Sequence, residues 1–544
     1  MSTLARYFHT IRHLRPIQLA ARARLRWQRA AADTRAAPAL RPGSRGYVAP
    51  IARAPSLVAP DVFRFLNVER RCSTAADWRP AGAARLWVYN LHYFDDLNAA
   101  GMDSRRMWHQ RLLQRWTEEN PPAPGDAWDP YPVSRRIINW VKWAARGNEL
   151  PAPCVASLAV QARWLLGRLE YHLLGNHLLT NAKALIHAGL YFQGAEAEHW
   201  LARGLHIVER QLPEQVLPDG GHFERSPMYH AAVLEDLLDL LNLLCAYGRA
   251  PPSALPAAIQ TMRAWLKVMT HPDGDIAFFN DAALDEAPTY EAFENYARRL
   301  ELPDAPDAQQ ALVVLASSGY VRTLAGSACL LCDCAPLGPD YQPGHAHADS
   351  LSFELSLFGQ RVLVNSGTSQ YESGAERLRQ RGTAAHNTVV VDGLDSSEVW
   401  DAFRVARRAR VRLHTAQVTP SGVLIEASHD GYCRLSGHNE HVRRWLLERA
   451  GLSIEDRISG SFRRAEAYFH LHPEIGARRT TSSEVTLTGL VGGSGRLEFR
   501  GAASVEVLSG TWHPRFGVAL QNQLVVARFA GATLTTRVSW SAPA

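Results

Sequence analysis

Lysine is almost missing from this 544-residue chain. Lys142, Lys183 and Lys267 are its only lysines among 59 basic residues, so arginine carries the positive charge. Cysteine is scarce as well. Seven residues (Cys72, Cys154, Cys245, Cys329, Cys332, Cys334 and Cys433), odd in number and scattered, exclude a disulfide framework as the organising device. Three of them crowd into ACLLCDCAPLG, where Cys332 and Cys334 alternate as on one face of a strand; this reads as packing rather than as a metal site. No run is long and apolar enough to span a bilayer, since the most apolar stretch, 231–245, is broken by Glu235, Asp236 and Asp239. The opening MSTLARYFHTIRHLRPIQLAARARLRWQRAAA is basic and amphipathic, with neither an apolar signal core nor a cleavage site. It reads as a segment that lies on a membrane surface or docks on the protein itself. A cytoplasmic location is expected on this ground, with the periplasm left open. No basic cluster is interleaved with aromatics, which argues against nucleic acid as partner.

What is present is an ordinary soluble composition, 46% hydrophobic and 21% charged, with a formal charge of +6. The arginine excess has two readings that stay open: a coding bias, or a groove for a polyanion, whose carboxylates or sulfates guanidinium forks bind in bidentate fashion. Three zones follow one another. Residues 1–84 are a Pro/Ala/Arg-rich lead with one helix. Residues 85–310 repeat apolar positions at three- and four-residue spacing, in segments near 104–118, 131–147, 152–173, 177–194, 196–212, 228–247 and 256–270. Residues 311–544 alternate or are β-branched, for example at 351–357, 361–364, 388–391, 411–415, 422–427, 467–472 and 534–540. The chain is therefore expected to be a multidomain α+β protein, an antiparallel helical array followed by a β-sandwich.

Chemistry-bearing residues concentrate in four places. Gly175-Asn176-His177 opens a helix, where Asn176 can act as N-cap and where an anion is welcome. Gly221-His222-Phe223-Glu224-Arg225-Ser226-Pro227-Met228-Tyr229 is a turn running into a helix. Gly344-His345-Ala346-His347-Ala348-Asp349 precedes a strand, and an H-x-H pair in extended chain points both imidazoles to one side. That suits a shared metal, or a ligand beside a catalytic base. His386 stands just before the strand at 388–391.

The runs NHLLTNAKAL (176–185), GHFERSPMYH (221–230), PGHAHADSLSFEL (343–355), VNSGTSQYE (364–372) and AAHNTVVVDG (384–393), with WDPYPVSRRIINW (128–140) and YNLHYFDDL (89–97), resemble the heparinase II/III-like polysaccharide lyases over about 85–460. The resemblance implies an incomplete α/α toroid followed by an antiparallel β-sandwich, and β-elimination on an acidic polysaccharide that contains uronic acid. It implies that Asn176 and His177 engage the uronate carboxylate, and that Tyr229 and His345 transfer protons. It places His347, position 365 and His386 where many members hold a structural zinc. Position 365 is Asn365 rather than the usual Asp, and an amide is a poor zinc ligand, so the metal is put in question. For Tyr229 to work as a base it needs cationic neighbours, for which Arg225 and His345 are candidates. Further substrate contacts are expected from Arg225, His222, Tyr371 and Arg136, and the groove arginines could include Arg135, Arg377, Arg379, Arg381 and Arg404. The Arg-rich segment 369–381 reads as a loop able to cover the cleft. Two rivals remain: a glycoside hydrolase pairing Glu224 with Asp349 or Glu354, and a non-catalytic polysaccharide-binding or exopolysaccharide assembly factor. The choice of polysaccharide is not legible.

Overall fold

The computed structural model describes residues 3–27, 31–306, 310–491 and 493–541; the two chain ends assigned to the lead and to the β zone lie outside the described residues. All seven expected helical segments are present, as Arg106–Glu119, Pro130–Ala145, Ala152–Leu166, Gly175–Tyr191, Ala195–Gln215, Pro227–Ala246 and Leu255–Val268. Arg85–Tyr93 and Tyr290–Arg299 add two that the apolar spacing did not announce. The segment expected over 152–173 ends at Leu166. The chain then turns so that Glu170 N–H donates to Asn181 Oδ1 at 2.8 Å and the Glu170 carbonyl accepts from Leu174. Most apolar side chains of these helices join one core with Trp116, Trp140, Trp143 and Trp200 at its centre. Two of the three lysines are buried there. Lys142 Nζ lies 2.7 Å from Asp239 Oδ2, and Lys183 Nζ lies 2.6 Å from Asp236 Oδ1 and 3.0 Å from Asp239. Pairing offsets part of the desolvation cost that burial imposes on these charges.

The lead is more ordered than its composition suggested. It carries two helices, Thr3–Ile11 and Pro16–Trp27, where one was expected, and a three-stranded antiparallel sheet, Leu57–Ala59, Val62–Phe65 and Val68–Arg71. Its second turn puts Leu66 and Asn67 in the left-handed region (φ 51° and 59°), as a two-residue hairpin requires. Asn67 Nδ2 donates to the Phe516 carbonyl at 2.8 Å and so ties the lead to the far end of the chain.

The last helix of the helical zone ends at Arg299 and the next strand begins at Leu312. Beyond it the strands form three larger antiparallel sheets of five, four and eight members, beside the small pair Val399–Asp401 and Arg404–Val405. The five-stranded sheet runs Leu312–Leu315, Tyr320–Ala325, Ala328–Asp333, Phe353–Leu357, Gln360–Leu363, and Cys332 faces Phe353 across it. The eight-stranded sheet places Thr533–Ser541 between Gly451–Ile458 and Ser494–Arg500. Inward side chains from all three sheets share one core, including Leu330, Phe353, Trp445, Phe469 and Val525. Inside it, Arg443 and His441 converge on Asp456, each at 2.7 Å. The crowded cysteines are buried, Cys329 and Cys332 on strand Ala328–Asp333 and Cys334 just past its end rather than on it, and every cysteine of the chain is free. No helix among the described residues is long and apolar enough to cross a membrane.

Candidate active site

Four segments meet where the helical and β zones face each other. The first is the start of helix Gly175–Tyr191. Leu174 (φ 68°) and Gly175 (φ 57°) form a left-handed turn, and a Cβ at Gly175 would lie 2.8 Å from Glu224 Oε1, so this turn needs glycine. The turn delivers Asn176, whose backbone N–H donates to Glu224 at 3.3 Å and whose buried Oδ1 has no partner. Beside it, His177 Nδ1 lies 3.1 Å from Glu170 Oε1 and its ring lies 4.7 Å from that of Tyr131. Burial pulls this imidazole down, but the Glu170 carboxylate outweighs it and raises His177 above its ordinary value.

The second segment is the start of helix Pro227–Ala246. Ser226 caps it by accepting from Tyr229 N–H at 3.1 Å and gives its own hydroxyl proton to the Asp281 carbonyl. Tyr229 stacks on His345 with ring centroids 3.7 Å apart, and its hydroxyl lies 3.0 Å from that of Tyr371. Burial, with Tyr371 and Asp281 adding to it, raises the Tyr229 phenol well above its usual value, so it is neutral at rest.

The third segment is the loop before strand Phe353–Leu357. His345 Nδ1 lies 2.9 Å from Asp281 Oδ2, while Asp281 N–H donates back to the His345 carbonyl at 2.9 Å. A carboxylate only accepts, so Nδ1 donates its proton to Asp281, and Nε2 is the ring nitrogen left outside that bond. That Nε2 is 3.7 Å from Glu224 Oε2, an oxygen without a hydrogen-bond partner. Burial raises the Glu224 carboxyl above its ordinary value. The fourth segment brings Tyr371, which packs on Phe403 and Phe516 with Arg377 4.9 Å from its ring. Asn176, His177, Tyr229, His345 and Tyr371 are therefore brought together.

Three expected substrate contacts are not. Arg225 (φ 59°) turns away, giving Nε to the Ser318 carbonyl and a second N–H to that of Phe223. It is thus no cationic neighbour of Tyr229. His222 is fully buried, with Nε2 3.2 Å from Gln215 Oε1. Arg136 is fully buried over the Trp116 ring and donates to Gln161 and the His92 carbonyl. Among the proposed groove arginines, Arg377 and Arg381 are buried anchors rather than cleft-lining cations. They lie on helix Ala375–Arg381, which replaces the expected covering loop. Arg381 holds the Ala346 carbonyl, and Arg377 holds both oxygens of Asp281. Arg135 is paired with Asp95 and Arg379 with Glu376.

Asp281 is the residue that sequence reasoning missed. It follows Phe278-Phe279-Asn280 in a loop with no local motif, yet it accepts from His345, His347, Arg377 and Thr368 together. On its far side lie the residues implied for zinc. His347 Nε2 is 2.8 Å from Asp281 Oδ1, and His347 Nδ1 is 3.3 Å from His386 Nε2. Burial lowers His347 to about 4 and His386 to about 3. Asn365 is consumed by backbone: Nδ2 donates to the Phe278 carbonyl at 2.9 Å and Oδ1 accepts from Asn387 N–H at 3.1 Å. Two imidazoles already engaged in hydrogen bonds, and an amide fixed by backbone, do not fit zinc. Among the described residues no group of three His, Cys, Asp or Glu is arranged to hold a metal. A cavity of about 580 Å³ lies elsewhere, between helix Pro16–Trp27 and the helical zone, and none of the four catalytic candidates lines it.

Comparison with known proteins agrees with this architecture. Residues 98–307 match "Heparinase II/III N-terminus" and residues 308–541 match "Heparinase II/III-like, C-terminal". FtsZ-localized protein C of Caulobacter vibrioides is 28% identical over 73% of this chain and 71% of its own length. A heparin-sulfate lyase of Bacteroides stercoris is 28% identical over 42% of this chain, which spans 37% of that enzyme. Among solved structures, that of heparinase III superposes with a TM-score of 0.71 at 18% identity, over 86% of this chain and 79% of the other. With both family regions matched from residue 98 to 541, the chain belongs to the heparinase II/III-like family of polysaccharide lyases.

Proposed function

We propose that this lyase cleaves an acidic, uronate-containing polysaccharide by β-elimination at the cleft described above. The observation that carries the reading is the stacked Tyr229–His345 pair, with the Nδ1 proton of His345 held by Asp281. His345 Nε2 takes the proton from C5 of the uronate. Tyr229, a neutral phenol, donates its proton to the oxygen leaving from C4 and is reprotonated afterwards. The C5 hydrogen is only weakly acidic beside an ionised carboxylate. Asn176 and protonated His177 therefore bind that carboxylate and stabilise the enolate-like charge as it develops. No step needs a metal. The names of the lyase relatives make heparin and heparan sulfate the first substrates to try.

The hydrolase pairings find no support. Glu354 is fully buried on His271, and Asp349 is buried on the Asn280 backbone, so neither opposes Glu224 across a cleft. Binding without turnover is a second reading, favoured by the relative named for localisation at FtsZ. Purified protein should generate unsaturated uronate ends, seen as rising ultraviolet absorbance, and Tyr229→Phe and His345→Ala should abolish the rise. Full turnover in either variant would remove that residue from its role.

A further inference from the structure

The lead helices lie outside both family matches, yet they reach the catalytic segments. Gln18 of helix Pro16–Trp27 is 1% exposed. Its Nε2 donates to the Leu173 carbonyl at 3.4 Å and to the Tyr341 carbonyl at 3.3 Å. Those carbonyls stand three residues before Asn176 and four before His345, so one amide bridges the two zones beside the site. Arg15 reinforces the bridge, pairing with Glu214 at 2.5 Å and lying 3.7 Å over the Tyr341 ring. The preceding helix, Thr3–Ile11, holds the strip 400–405. Trp400 Nε1 donates to Thr10 Oγ1, Arg404 donates to the Tyr7 hydroxyl, and the Tyr7 and Trp400 rings lie 5.0 Å apart. From the same strip, Phe403 packs edge-on against His345 at 6.0 Å.

One helical turn beyond Gln18, and so on the same face, is Arg22. It is exposed and has no carboxylate partner among the described residues. Its electrostatic neighbours are Arg404 and His172. Arg404 has one half-buried carboxylate, Asp401, at 3.6 Å, which also accepts from Ser373 and the Ala402 N–H. His172 neighbours Glu170 and His177, and its buried Nδ1 lacks a partner. The lead adds no negative charge, because residues 1–32 contain no Asp or Glu. Like charges gathered at the edge of a cleft, with an orphaned ring nitrogen among them, are relieved by an anionic ligand.

We propose that Arg22, with His172 and Arg404, forms a substrate subsite that takes a second anionic group of the sugar chain, a carboxylate or sulfate, next to the uronate held by Asn176 and His177. The lead helices thereby form part of the binding cleft. The substrate class, an acidic sugar chain, rests on the lyase reading.

The test uses the full chain carrying Tyr229→Phe, which binds without turning over. Calorimetric titrations employ hexasaccharides of heparan sulfate, alginate and polygalacturonate. Arg22→Glu should weaken the Kd of the bound hexasaccharide by about tenfold or more, and Arg22→Lys should restore most of it. In the active enzyme the Arg22→Glu loss should appear in KM rather than in kcat. Unchanged Kd in Arg22→Glu, with elimination intact in the parent, overturns the subsite and leaves the lyase reading standing. Arg22-dependent binding with no unsaturated product from the parent overturns the lyase reading and keeps the subsite. Failure of all three sugars to bind overturns both.

Discussion

The two oxygens of Asp281 face two histidines that stand two residues apart, and the two sides behave differently. On one side His345 keeps its far nitrogen at the cleft, stacked under Tyr229 and 3.7 Å from Glu224. On the other side His347 turns its far nitrogen inward to His386, in a fully buried pocket where both imidazoles stay neutral at ordinary pH. The carboxylate is shared and so is the H-x-H motif; what the second ring nitrogen meets decides the role. The cleft side can exchange a proton with a ligand, and the buried side can only support the shape of the loop.

The sharpest way to break the contrast is on the cleft side. Tyr229→Phe should lower kcat by about 10²–10⁴-fold while moving stability by less than about 1 kcal/mol, read by product absorbance and urea unfolding. Asp281→Asn strikes both sides at once. It leaves Arg377 buried without its counter-charge and His345 without a charged acceptor, so unfolding free energy should fall by about 3–5 kcal/mol, with loss of activity. On the buried side alone, Asn365→Asp places an anion against the Phe278 carbonyl and should cost about 1–3 kcal/mol of stability in the same unfolding measurement.

Asp456 offers a control away from the cleft. Burial opposes its ionisation, but Arg443 and His441 outweigh this and hold it near 2, below the ordinary 3.8. A depressed carboxyl contributes stability above its unfolded value. About 2 kcal/mol should therefore be present above pH 3.8 and lost as pH falls toward 2, as acid titration of the folding equilibrium would show. The smallest expected effect is that of a chelator, which should leave turnover unchanged, because the amide of Asn365 is held by backbone and the Asp281 carboxylate is already taken by His345, His347 and Arg377.

Much of this contrast was legible in the sequence, and its centre was not. Asn176, His177, Tyr229, His345 and Tyr371 lie in runs whose order marks the family, and all converge. Arg225, His222 and Arg136 were misplaced for a common reason: a polar residue in a promising run gives no sign of which way its side chain points. A left-handed backbone at Arg225 and the packing of Trp116 on Arg136 settled those directions, and both are tertiary effects. Asp281 was invisible because its partners come from residues 345, 347, 368 and 377, which only the fold assembles. The lead sheet was hidden by strands of three or four residues, too short to show a period.

The central claim, elimination rather than hydrolysis at the Tyr229–His345 pair, is tested most directly by digesting heparan sulfate or another bound polyuronate in heavy-oxygen water and weighing the products. The account predicts product pairs whose masses sum to that of the parent chain, with no heavy oxygen incorporated and the unsaturated end absent in Tyr229→Phe. Incorporation of one solvent oxygen per cleaved bond would show hydrolysis and contradict it.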